Sequence, residues 1–171
     1  TCLNRDDVGA PKSAVFGGAS RARVSSQSWK RAIRLLAAEK QPAFYAGQRS
    51  KFLIPELERA FQAAGEKAKA ADLAKKLAEE LGKVDDKKEG AVKTLMYFSP
   101  EEVRKAVSVY LDSINKKEKE ENALKSAKKA LSESARDKAD IALFGRMVAD
   151  DHSLMVEGAG MFSHALSTHK V

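Results

Sequence analysis

Two hydrophobic periods divide this chain. Between about Arg49 and Ala135 apolar residues recur every three or four positions. Phe52, Leu53, Leu57, Ala60, Phe61 and Ala64 form one stripe, closed by Gly65. Leu73, Leu77 and Leu81 form a second, with Ala70, Ala74 and Ala78 beside it. Val103, Ala106, Val107, Tyr110 and Ile114 give a third, and Leu124, Ala127 and Leu131 a fourth. Such spacing gathers apolar side chains on one helical face. Ser99-Pro100-Glu101-Glu102 predicts a helix start: Ser99 caps, Pro100 sits in the first turn and Glu102 closes a capping box. The flanks read differently. Residues 1–24 read as loops and short extended pieces, and Arg21-Ala22-Arg23-Val24 alternates like a strand with both arginines on one side. Ala139 to Met147, ADIALFGRM, reads as a strand ending at Gly145. A polar loop and short apolar pieces follow to Val171. The expected class is α+β: a small platform interrupted by a helical insertion.

The stretch from Ala14 to Arg34 adds detail. Ala14-Val15-Phe16 meets Gly17-Gly18, where the backbone can turn or come close to a ligand. Ser25 or Ser26 is a suitable N-cap for a following helix. On that helix Trp29, Ala32, Ile33 and Leu36 share one arc and are expected to pin it by burial. Lys30, Arg31 and Arg34 occupy the other arc, with Lys30 and Arg34 one turn apart.

Charge sharpens this picture. The 171 residues carry 31 Lys and Arg against 24 Asp and Glu, a net charge of +7. Between Val8 and Ala38 there is no acid at all but six bases: Lys12, Arg21, Arg23, Lys30, Arg31 and Arg34. A basic excess so local points to nucleic acid or another polyanion. Arg21 and Arg23 on an arm, with Lys30 and Arg34 on a helix edge, can track a sugar-phosphate backbone. Nothing resembles a recognition helix for base reading in a major groove. The lone Cys2 makes no intrachain disulfide and fits a reducing cytoplasm. No apolar run approaches a membrane span, and no signal peptide is visible. Both ends of the chain read as cut from a longer protein.

Other motifs are weaker. Gly158-Ala159-Gly160 is half a dinucleotide fingerprint without its third glycine. Ser113 to Lys116 and Ser126 to Lys129 match S-x-x-K, but on charged helices without an oxyanion hole. His152, His164 and His169 lack the cysteine partners or H-E-x-x-H spacing of a zinc site, so no metal is expected. His164 can instead bond backbone, contact phosphate or stack on a base. Asp6-Asp7 and Asp150-Asp151 read as turn and cap residues. Met147, after Gly145-Arg146, reads either as a core residue or as a wedge between bases of a single strand. Neither a cofactor nor a catalytic constellation is expected.

LNRDD at Leu3 to Asp7, FGG at Phe16 to Gly18, the arginines at 21 and 23 and SSQ followed by the Lys-Arg helix at Ser25 to Arg34 together resemble the N-terminal signature of the CasC family. A second block also resembles it: ADIALFGRM, then EGA at Glu157 to Ala159, then HALSTHKV at His164 to Val171. These are the repeated backbone subunits of Cascade, the type I-E CRISPR surveillance complex. The resemblance implies a partial RRM-like (ferredoxin-like) palm at 1–39 and 136–171, with mainly helical fingers at 40–135. It implies a first palm strand before Thr1, and further palm and a thumb after Val171. It implies antiviral defence by a non-catalytic, cytoplasmic ribonucleoprotein subunit. Copies would line up along the guide part of a CRISPR RNA, beside other Cascade subunits, and present its bases to target DNA. Lys30 and Arg34 would contact guide phosphates, with Ser25, Ser26 and Gln27 nearby. Arg21, Arg23, Gly17 and Gly18 would flank the RNA groove. Arg146 and His164 would also belong to the RNA-binding set, and Met147 would sit against a base at a kink. Two rival readings remain at this point: a nucleic-acid-processing enzyme using His164 or His169 with the aspartate pairs, and a helical protein-interaction module.

Overall fold

A computed structural model describes residues 4–171. Cys2, and Leu3 of the LNRDD match, lie outside the described residues. The chain is an α+β protein of two compact units: Thr1–Ala43 with Gly160–Val171, and Phe44–Ala159.

The first unit is built on a hairpin. Strand β1 (Ser13–Phe16) pairs antiparallel with β2 (Ala19–Val24). Phe16 faces Ala19, so Gly17 and Gly18 alone make the turn. Both have positive φ, 61° and 72°, the conformation a two-residue turn of this hand requires and side chains resist. Strand β2 pairs on its other side with a two-residue strand at Ala165–Leu166, giving a three-stranded antiparallel sheet. Helix α1 (Ser26–Lys40) follows, capped by Ser25, whose hydroxyl accepts the Ser28 N–H at 3.3 Å.

One expectation fails on α1. Trp29, Ile33 and Leu36 were expected to pin it, yet the helix buries no residue, and these three are 44%, 36% and 58% exposed. A cleft of about 770 Å³ lies between Ser28, Trp29 and Ala32 on the helix and Ala22, Val24 and Leu166 on the strands. The helix stands off the sheet instead of packing on it.

The second unit holds the core. Strand β3 (Gln48–Ser50) pairs antiparallel with β4 (Met96–Phe98). Helices α2 (Leu53–Ala63), α3 (Ala70–Leu81), α4 (Pro100–Asn115) and α5 (Glu120–Ser134) pack together. Their buried positions fall on the predicted stripes: Leu53, Leu57 and Phe61 on α2, Leu77 and Leu81 on α3, Val103, Val107 and Tyr110 on α4, Ala127 and Leu131 on α5, whereas Phe52 and Ile114 at the stripe ends stay exposed. Phe61 meets Tyr110 edge-on, with centroids 5.7 Å apart. The capping box forms as expected, with the Ser99 N–H donating to Glu102 at 2.7 Å and the Glu102 N–H to Ser99 at 3.2 Å.

The segment read as a strand, Ala139 to Met147, is instead mostly the short helix α6 (Ala139–Phe144). A short apolar run does not distinguish the two states by periodicity. Asp140 Oδ1 takes the Ile141 N–H at the helix start, and Gly145, at φ 76°, ends it. Ile141 and Val156 pack with Ala135. Residues 136–159 therefore sit with the helices, not with the final segment.

Candidate nucleic-acid interface

The two units divide the charge unequally. The first holds nine Lys and Arg against three Asp and Glu, while the remaining 22 bases and 21 acids of the second nearly cancel. Almost the whole net charge of +7 thus lies on the unit that carries β1, β2 and α1.

Within that unit the structure assembles ten of the sequence-selected residues: Gly17, Gly18, Arg21, Arg23, Ser25, Ser26, Gln27, Lys30, Arg34 and His164. Several are occupied by structural bonds. Arg21 donates to the carbonyls of Phe16 (3.1 Å), Ser167 (3.1 Å) and Thr168 (2.6 Å), so it fastens the C-terminal segment to the hairpin. Ser25 is buried, and its N–H donates to Asn4 Oδ1 at 3.0 Å. The Ser26 N–H donates to Nδ1 of His164 at 3.3 Å, which makes His164 a cap for α1. These bonds assign Ser25, a candidate RNA contact in the sequence, to helix capping inside the fold.

The remaining cations are placed otherwise. Lys30 lies over the Phe162 ring, 5.6 Å from its centroid. Arg34 stands one turn further along α1 and is half-buried, while Gln27 is exposed. Arg23 keeps its Nε shut from solvent with no hydrogen-bond partner, beside the cleft that Lys12 and His169 also line.

Arg146 and Met147 belong to the second unit. Arg146 requires a correction: it is 3% exposed and is no surface cation. Its Nη1 pairs with Glu102 at 2.5 Å and its Nε donates to the Leu154 carbonyl at 2.8 Å. Burial pushes the Glu102 carboxyl up, and the Arg146 charge opposes that rise. Sequence reasoning missed this pair because its members are 44 residues apart and each was read within its own local motif. Met147, by contrast, is 78% exposed and not a core residue.

The aspartate pairs do structural work. Asp6 accepts the N–H groups of Val8 (3.1 Å) and Ala10 (2.8 Å). Asp150 accepts the Thr94 hydroxyl, and Asp151 caps a helical turn at Ser153 while pairing with Lys128 at 2.7 Å. Among the described residues no group of three His, Cys, Asp or Glu is placed to hold a metal. No helix among them is long and apolar enough to cross a membrane.

A family model for CT1975-like proteins, Cas_CT1975, matches residues 1–171. The chain belongs to that family. Among solved structures it is similar to a chain of a CRISPR RNA-guided surveillance complex, with 28% identity, a TM-score of 0.67, and coverage of 98% of this chain and 55% of that one. It is also similar to a chain of such a complex in a pre-nicking state, with 30% identity, a TM-score of 0.59, and 98% and 49% coverage. It spans about half the length of the solved chains it matches. No curated protein matches.

Proposed function

We propose that this CT1975-like chain is part of a backbone subunit that holds CRISPR guide RNA by its phosphates, without reading its sequence. One observation carries the reading: almost all the net charge lies on the unit of the hairpin and α1. Lys30, Arg34 and Arg23 would meet phosphates, with Gln27 and the Gly17-Gly18 turn beside the strand. Met147 would rest against an unstacked base. In the finer reading the complex is of type I-E, the palm is RRM-like, and copies of the subunit polymerise along the guide in the cytoplasm. They present it to target DNA, and the subunit itself cuts nothing.

The test uses the full-length protein and several unrelated single-stranded RNAs, with affinity measured by fluorescence anisotropy across a salt series. Lys30→Ala with Arg34→Ala should weaken binding equally for all sequences. It should also flatten the slope of log affinity against log salt by about 1.4, the value for two phosphate contacts on a single strand. Unchanged affinity overturns the assignment. The RNA should stay intact in the presence of divalent metal; cleavage lost on His164→Ala would show an enzyme instead.

A further inference from the structure

Met147 lies on a hairpin whose construction brings in a second methionine. Arg146 and Val156 form an antiparallel bridge and exchange both backbone hydrogen bonds, at 2.8 and 2.9 Å. Continued by one rung, that register would set Met147 opposite Met155. Arg146 and Val148 are buried on either side of the exposed Met147, and Leu154 and Val156 are buried on either side of Met155, which is 41% exposed. A rung next to a hydrogen-bonded pair brings its two side chains especially close. The outer face of the hairpin therefore carries two exposed thioethers, with His152 Nδ1 3.1 Å from the Met155 sulfur.

The frame beneath is tight. The Arg146–Glu102 pair lies wholly inside the fold. A Cβ on Gly145 would come within 2.7 Å of the Val156 carbonyl, so the two limbs touch backbone to backbone. Asp151, in the connecting loop, is paired with Lys128. Both arginine and lysine charges near the hairpin are thus neutralised by acids. An uncharged pair of polarizable sulfurs suits the flat face of a nucleobase, and it offers a phosphate nothing.

We propose that Met155 is a second base-contacting side chain, forming with Met147 a two-methionine platform for one unstacked base of the bound single strand. This rests on the RNA-holding reading above. Peroxide converts open methionines to sulfoxides that mass spectrometry counts residue by residue. Full-length protein is compared free, bound to single-stranded RNA, and bound to the same RNA with its bases removed. Both sulfurs should oxidise about tenfold more slowly on RNA and regain the free rate on the abasic strand, which keeps its phosphates. If Met147 is protected and Met155 is not, the platform is wrong while the reading stands. Protection of both that persists on abasic RNA means that protein covers them, and it also overturns the platform. If neither is protected while RNA stays bound, the Met147 contact falls together with the platform. If no RNA binds at all, the reading itself falls.

Discussion

Glu102 does two jobs with one carboxylate. It closes the capping box of α4 and neutralises Arg146. Both side chains are fully shielded from solvent, so removing one leaves the other charged in a medium that cannot solvate it. Glu102→Ala should cost about 3–5 kcal/mol, the range for breaking a buried pair from one side. Urea unfolding checks this, and Glu133→Ala, at an exposed carboxylate paired with the exposed Lys129, should cost far less. A loss under about 1 kcal/mol for Glu102→Ala would show that Arg146 is not held by charge. The residue scale is also where sequence and structure part most clearly. Lys30 and Arg34 were legible, because one helical turn relates them. Arg146 was not, because its burial depends on a distant partner on helix α4.

Local chemistry dictates most of the elements. Helices α2 to α5 follow their stripes, and Ser99 to Glu102 fixed the start of α4. Gly17-Gly18 could be read as a turn, and its type follows from φ: two consecutive positive angles. Replacing both glycines by alanine should destabilise the hairpin by about 2 kcal/mol, about 1 for each residue forced into left-handed geometry. Asn-Gly in the same place should restore it, since that pair favours the same turn. Amide exchange of β1 and β2 measures both variants. Equal protection in all three proteins would show that the turn does not hold the hairpin. Helix α6 escaped detection because six residues are less than two turns, too few for a period to declare itself.

At the scale of the whole molecule, the two units differ in kind. Phe44–Ala159 contains nearly all the buried apolar side chains, whereas α1 contributes none. Residues 44–159 produced alone should therefore melt cooperatively with a helical circular dichroism spectrum. A gradual, non-cooperative melt would mean that this core is insufficient by itself. Residues 1–43 alone should show no cooperative transition, since nearly all of the described side chains from 4 to 43 keep contact with water. The charge follows the same division, with the unit of little core carrying the positive excess and the unit with the core close to neutral. That arrangement suits a chain in which one part supplies stability and the other meets a polyanion.

By itself the sequence determined the helical stripes, the capping box at Ser99, the glycine turn and the acid-free basic run. Each depends on residues within a turn or two of one another, so spacing alone encodes it. Tertiary structure decided the rest. It drew Arg146 into the interior against Glu102 and left α1 standing off its sheet. It tied Arg21 to carbonyls at Ser167 and Thr168, and bridged Arg146 to Val156. Those outcomes depend on which distant segments meet, and on the high cost of leaving a charge or a polar group unpaired once they do.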